Sequence, residues 1–468
     1  MSHPTYFDAA EVPRLLADYP LGPEFATTFR QLSRDALRAR QETRFAAVMR
    51  RAWQIAFYRR RWQAVGLEPG DVRGLDDIGK LPVYAKSDLM QSIAEHPPWG
   101  DFHGLEAWPI EARPPVVLHT TSGTTGRPQV LLFGPKSREL QNLLLARIYR
   151  FQGLRPGDVV HSVYGHGMVN GGHYIRETVL HFTNAMFLSA GTGIETRSQA
   201  QIELMRDFGA TVLVGFADYI RRLAEVAREH DIVPGRDIKI RMISGHLGRE
   251  NRDAVSQAWG GAELFDWYGV GDTGIIAGEG PDHAGLYVME DAQYIELLDP
   301  ETGTPVPDGG SGNLVVTCLY KDDVYPIIRF NTNDLTAFEP GASPLGLNLR
   351  RIQGFLGRSD NMVKLRGINI YPTALAAWLG ARGDTTGEYL CRVTRDAAGR
   401  DDMTVMIELA AGFEDSVARR AEFKALLKQR LGVEVEIELV PAGRLAPLTG
   451  LESRQKPIRL IDDRFAKP

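Results

Sequence analysis

Cysteine is almost missing from this chain: its 468 residues include two, Cys318 and Cys391. Two thiols cannot build a disulfide framework, and such scarcity suits a reducing compartment. No apolar run approaches the ~18 residues that a membrane span needs. The opening Met1-Ser-His-Pro-Thr-Tyr-Phe-Asp8 has neither the basic start nor the apolar stretch of a secretory signal. An excess of one charge is missing too: 54 basic against 59 acidic residues leave −5, which gives no broad basic field for nucleic acid or an anionic membrane. There is no internal repeat or low-complexity tract. Several catalytic signatures are also absent: the Gly-Lys-Ser/Thr end of a Walker loop, a G-x-S-x-G elbow and an H-E-x-x-H pair. A cytoplasmic enzyme or binding protein of two or three domains remains.

Against these absences stands one dense loop, His119-Thr-Thr-Ser-Gly-Thr-Thr-Gly-Arg-Pro128, between the apolar runs Val116–Leu118 and Val130–Phe133. It offers hydroxyls from Thr120 or Thr121, Ser122, Thr124 and Thr125, with Gly123 among them and Gly126 directly after. Glycine lets backbone approach an anion, and hydroxyls and bare N–H groups donate to phosphate oxygens. The same composition also suits a solvent loop; its density and apolar flanks favour phosphate.

The texture changes along the chain. Residues 27–66 read as helical, with Phe29, Leu32, Leu37, Phe45, Val48, Trp53 and Phe57 at helical spacing. From about 115 to 275, short apolar runs (159–163, 185–188, 211–214, 240–243) alternate with helical stretches (198–208, 217–230, 249–259), the pattern of a mainly parallel sheet covered by helices. From 285 to 340, Asp299-Pro-Glu-Thr-Gly303 and Asp308-Gly-Gly-Ser-Gly312 mark hairpin turns. Beyond a linker at Gly354–Asp360 lies a compact α+β pattern: strands at 363–370, 389–395, 403–409 and 433–440 around helices at 372–381 and 414–430. The fold class expected is α/β, with a large N-terminal domain over 1–359 carrying a β-subdomain and a small mobile α+β domain over 360–468.

Two patterns are decoys. Gly269-Val-Gly-Asp-Thr-Gly274 matches G-x-G-x-x-G, but Ile275–Pro281 is a poor helix, so a dinucleotide site is not expected. His161, His166, His173 and His181 cluster without a Cys or paired carboxylate at metal-ligand spacing and read as pocket or core residues.

The loop at 119–128 is followed, in order, by Tyr268-Gly-Val-Gly-Asp-Thr-Gly274, Arg329-Phe-Asn-Thr-Asn-Asp-Leu335, Gly357-Arg-Ser-Asp-Asn-Met-Val-Lys-Leu-Arg-Gly367 and Arg454-Gln-Lys-Pro-Ile-Arg459. Together these motifs resemble the adenylate-forming superfamily of acyl- and aryl-CoA synthetases, luciferases and adenylation domains, and most of all its phenylacetate–CoA ligase-like branch. Leu32–Leu37, Phe57–Arg61, Leu75–Val83 and Gly285–Asp291 extend the likeness along essentially the whole chain.

The resemblance implies ATP-dependent activation of a carboxylic acid to an acyl-adenylate, with pyrophosphate released, then transfer to coenzyme A. It implies that Ser122, Gly123, Thr124, Thr125, Gly126 and Arg127 hold the phosphates, with Thr125 acting in catalysis. Tyr268 and Gly269 would lie at the adenine, Asp334 would accept from the ribose hydroxyls, and Arg358 would help hold the nucleotide. Asp272 would bind Mg²⁺, Lys456 would bridge carboxylate and α-phosphate, Asp360 would be the hinge, and Gly367 would lie in the acceptor channel. Tyr164, His166, His173, Phe216, Ser244, His246, Gly271 and Thr273 would line the acid pocket. This mix suits an aromatic acid with polar substituents.

Two departures stand out. Gly271-Asp272 replaces a Ser/Thr-Glu pair, and His246 replaces an acidic residue. They leave open a non-CoA acceptor such as a carrier-protein thiol, an amine or nitrite. A catalytically silent nucleotide- or acid-binding paralogue is the reading from another class. No structural metal and no nucleic-acid or membrane partner is expected, and a homodimer is admitted.

Overall fold

The structure, a computed structural model, describes residues 5–121, 128–247, 250–359, 363–365, 368–396, 401–451 and 457–465. The chain is a mixed α/β protein that divides into two compact units, one formed by 1–189 with 265–354 and the other by 190–264 with 355–468. Among the described residues no helix is long and apolar enough to cross a membrane.

In the first unit the expected helix over 27–66 breaks into three, Pro23–Gln31, Arg34–Ala52 and Ala56–Gln63. Ser33 starts the middle one: its hydroxyl accepts the Ala36 N–H at 3.1 Å, the usual N-cap bond. The apolar positions still face inward, since Phe29, Leu37, Phe45, Val48 and Phe57 are all buried. A helix over Pro135–Phe151 is buried on nearly every side. It carries Arg147 inward, where a two-bonded pair with Asp291 at 2.9 and 3.1 Å satisfies both charges.

Parallel strands Val159–Ser162 and Met186–Ser189 are joined through the helix Asn170–Phe182. The strand ending at Val270 turns back into Gly274–Glu279, which pairs with Leu286–Val288 and then Arg351–Ile352, all antiparallel. A second sheet runs Gln293–Leu298, Ser311–Cys318, Phe330–Ala337 as a meander, with Tyr84–Ala85 added in parallel. Its first turn is an Asx turn: Asp299 Oδ1 accepts the N–H groups of Glu301 and Thr302 at 3.0 and 2.8 Å.

In the second unit, parallel strands Val212–Phe216 and Met242–His246 accompany helices Ser198–Asp207, Ala217–Glu229 and Arg252–Ala258. The C-terminal domain has its own sheet, in the order Glu436–Val440, Asp401–Leu409, Thr385–Arg395, Leu460–Asp462. Leu375, Leu379, Val405, Ile407, Phe423 and Leu427 form its core.

Candidate active site

The phosphate-loop residues Ser122, Gly123, Thr124, Thr125, Gly126 and Arg127 lie outside the described residues, as do Lys456, Asp360 and Gly367. In the stem of the loop Val117–Thr120 pairs antiparallel with Val130–Phe133. At its open end the Thr121 N–H donates to the Gln129 carbonyl at 3.0 Å, and the Gln129 N–H donates to the Thr121 hydroxyl at 3.2 Å. Lys86 Nζ donates to that hydroxyl at 3.3 Å, which brings a half-buried cation to the base of the loop.

Gln129 also reaches sideways. Its amide donates to Asp272 Oδ1 at 2.6 Å, and the Tyr325 hydroxyl donates to the same oxygen at 2.7 Å. Lys321, fully buried, donates from Nζ to the Asp272 carbonyl at 3.0 Å. Burial pushes the Asp272 carboxyl above the usual range, while Tyr325, Lys321 and Gln129 pull it back. Burial likewise lowers the Lys321 ammonium. Among the described residues no hydrogen bond reaches Asp272 Oδ2. One carboxylate oxygen fixed and one left over is a donor set that fits Mg²⁺, which takes one or two carboxylates beside phosphate oxygens and water.

Asp272 sits in the turn of a β-hairpin and not before a helix, so the G-x-G-x-x-G spacing is a β-turn pattern here. Gly269 is required at that position, because a Cβ would run into the Gly274 carbonyl. Thr273 was expected in the acid pocket; it is fully buried, and its hydroxyl donates to the Gly274 carbonyl at 2.9 Å. Gly271, its neighbour, faces Leu131, whose Cδ1 a Cβ would meet at 3.0 Å.

Tyr268 and Asp334, 66 positions apart, meet directly: the tyrosine hydroxyl donates to Asp334 Oδ2 at 2.7 Å. The Asp334 N–H donates to the Thr332 hydroxyl at 3.1 Å, which fixes the other side of the residue. The meander and the hairpin therefore present one aromatic ring and one oriented carboxylate together.

Among the residues of this unit expected to line the acid pocket, His173 Nε2 lies 2.6 Å from the His166 carbonyl and 3.0 Å from that of Gly167. His166 Nε2 is 3.0 Å from the Ser189 hydroxyl. Tyr164 is buried with its ring 6.4 Å from that of Trp267. His119, assigned no separate role from its motif, joins the group with its ring 5.0 Å from His173. Burial first, then the charge of Arg138 and the His173 ring, depress His119 to about 4, so it is neutral at ordinary pH. His161 is fully buried, and His181 lies 2.9 Å from Glu139. Among the described residues no group of three His, Cys, Asp or Glu is arranged to hold a metal ion.

In the second unit Phe216 and His246 are partners across adjacent parallel strands, with ring centres 5.0 Å apart. Gly215 and Gly245, one position earlier, allow this: a Cβ on Gly245 would collide with the Gly215 carbonyl. Ser244 is fully buried, and Arg358 ends the short strand Gly357–Arg358.

Gln129, Tyr325, Lys86 and Lys321 are additions that sequence reasoning missed. Lys86 and Gln129 adjoin recognised motifs, but Tyr325 and Lys321 carry no signal before the meander folds.

Comparison with known proteins bears on this arrangement. Residues 71–318 match the family model of AMP-binding enzymes, and residues 367–464 match that of the AMP-binding enzyme C-terminal domain. The chain is 31% identical to a phenylacetate–coenzyme A ligase of Aromatoleum evansii, over 86% of this chain and 88% of the relative. It is also 31% identical to one of Pseudomonas putida, over 92% and 95%. A 2-hydroxyisobutyryl-CoA ligase structure, in the postadenylation state in complex with R3-HIB-AMP, superposes with a TM-score of 0.81 at 27% identity, covering 94% of this chain and 92% of the other. The chain thus belongs to the AMP-binding enzyme family, in its phenylacetate–CoA ligase-like branch.

Proposed function

We propose that this protein is an AMP-forming acid–CoA ligase that acts on an aromatic carboxylic acid. One carboxylate oxygen attacks the α-phosphorus of ATP, the bond to the bridging oxygen breaks, and pyrophosphate leaves. The thiol sulfur of coenzyme A then attacks the acyl carbon, the acyl C–O bond breaks, and AMP departs with the carboxylate oxygen while the thiol proton goes to solvent.

The observation that carries this reading is the meeting of Tyr268 and Asp334 in the same unit as the loop stem tied to Asp272. An oriented carboxylate is the natural acceptor for a pair of ribose hydroxyls. In our reading Ser122 to Arg127 take the phosphates, where hydroxyls, N–H groups and a guanidinium offset developing charge. Asp272 would offer its second oxygen to Mg²⁺, which supplies charge neutralisation on the phosphates when bound. Lys456 would place an ammonium between the two reacting anions. In our reading Tyr164, His166 and His173 of the first unit give the acid aromatic faces and hydrogen-bonding groups, which favour a flat acid with polar substituents over a long acyl chain.

Acid-dependent exchange of pyrophosphate into ATP, across a panel of carboxylic acids, tests the first step. Product masses with and without coenzyme A test the second. Exchange with no CoA-dependent product moves the reading to another acceptor; no exchange with any acid moves it to a silent binding protein.

A further inference from the structure

Between the meander strands Ser311–Cys318 and Phe330–Ala337 runs the segment Lys321-Asp-Asp-Val-Tyr325. A connection between strands ordinarily faces solvent, yet here Lys321, Val324 and Tyr325 are fully buried. Each polar side chain of the segment is engaged. Lys321 Nζ donates to the Asp272 carbonyl at 3.0 Å and lies 5.0 and 4.7 Å from the ring centres of Phe133 and Tyr325. Asp322 accepts from Lys136 Nζ at 2.7 and 3.0 Å. Asp323 accepts the Ser137 N–H at 3.1 Å and the Ser137 hydroxyl, and so caps the helix Pro135–Phe151 from 186 positions away. Gly134 leaves room for this, because a Cβ there would collide with the Asp323 carboxylate.

The backbone of Tyr325 is unusual. Its φ of 55° lies in the left-handed region, which a bulky residue seldom adopts. Such a conformation persists only where its surroundings hold it, and it gathers at functional sites. The holding contacts are present: the Tyr325 N–H donates to the His103 carbonyl at 3.2 Å, and its ring lies 4.9 Å from that of Phe102. Held this way, its hydroxyl donates to Asp272 Oδ1 at 2.7 Å, beside the Gln129 amide on the same oxygen. The segment thus straps three pieces of the first unit together: the start of a helix, the hairpin turn at Asp272, and the base of the loop stem.

A carboxylate on an unsupported turn samples several rotamers and loses that freedom when a cation fixes it. Asp272 is fixed beforehand, from its main chain by Lys321 and from one carboxylate oxygen by Tyr325 and Gln129. We propose that Tyr325, supported by Lys321, is a positioning residue for acid activation: it engages Oδ1 so that Asp272 keeps Oδ2 for the cation that accompanies ATP. The inference rests on the proposed ligase function and on Asp272 as its magnesium ligand. It adds that the strained tyrosine, which touches neither cation nor nucleotide, sets how tightly the cation is held.

The test is calorimetric titration of the full-length protein with ATP, once in Mg²⁺ and once in EDTA. Tyr325→Phe removes only the hydroxyl. Affinity should fall roughly tenfold in Mg²⁺, as when a group that orients a metal ligand is lost, and stay within about twofold in EDTA. In an Asp272→Asn background the same substitution should change affinity by less than about twofold, because its effect runs through that carboxylate. Lys321→Met keeps length and apolar contact, should show the same pattern, and carries the test if Tyr325→Phe does not fold. Equal losses in Mg²⁺ and EDTA would mean a purely structural role, and additive losses would mean action apart from Asp272. Either overturns the inference, as does unchanged affinity, or an Asp272→Asn protein whose Mg²⁺ dependence is intact. Pyrophosphate exchange is read separately: its absence in the unsubstituted protein overturns the ligase reading, while the binding data still decide the role of Tyr325.

Discussion

At Asp272 one carboxylate serves two neighbours and leaves one oxygen for a ligand. Asp272→Ala would strip a partner from the Tyr325 hydroxyl and the Gln129 amide, costing about 1–3 kcal/mol of stability before any catalytic effect. Asp272→Asn keeps the shape and is the cleaner probe. It should reduce exchange at least about tenfold and raise the Mg²⁺ concentration needed for half-maximal rate; an unchanged Mg²⁺ titration would remove Asp272 from the metal site. Tyr268→Phe should raise KM for ATP by roughly fivefold, the value of about 1 kcal/mol for one hydrogen bond. Steady-state kinetics that show KM unchanged would mean that Asp334 needs no such orientation. Glu250 gives a pH signature. Its raised carboxyl favours the folded state while protonated, so that contribution is complete below the ordinary glutamate range and lost as pH rises through about 8. Glu250→Gln mimics the protonated form. Its thermal midpoint should match the parent at or below pH ~4 and exceed it above pH ~9.

Elements show where sequence was readable and where it was not. The alternation of strands and helices over 159–246 and the turn at Asp299 follow from periodicity and turn chemistry. The helix Pro135–Phe151 was less visible, because it buries Arg138, Glu139, Gln141, Asn142 and Arg147 beside its leucines. Hydropathy reads such residues as surface; only partners distant in sequence, such as Asp291 and Glu177, make them interior. The terminal strand Leu460–Asp462 was missed for a simpler reason: three residues give no period to read. The hairpin of Tyr268 and Asp272 depends on backbone contact at Gly269. Gly269→Ala should therefore lower stability by about 1–3 kcal/mol, the usual cost of forced overpacking, and weaken ATP binding with it. Chemical denaturation and nucleotide titration check this; loss of stability without loss of affinity would detach the hairpin from the nucleotide site.

At the scale of the whole molecule, the order of motifs made the family legible, while the partition of the chain did not follow from it. A boundary near 360 is marked by Gly and polar residues, close to the break at 354–355. Nothing in the texture of 190–264 announces that it groups with 355–468, since that grouping rests on contacts such as Arg221–Glu388 and Arg459–Asp218 between distant segments. Of the expected site, Tyr268, Asp334 and Asp272 were named from sequence; the residues that orient or tie them, Thr332, Gln129, Tyr325 and Lys321, emerged only once the sheets were folded. The claim that unites these observations is that the protein joins a carboxylate to AMP before handing the acyl group on. Its most direct test is the fate of heavy oxygen placed in the carboxylate of an accepted acid. Mass spectrometry should find one labelled oxygen in the phosphate of the AMP released with the thioester. Label recovered in inorganic phosphate, with ADP as the nucleotide product, would contradict the account.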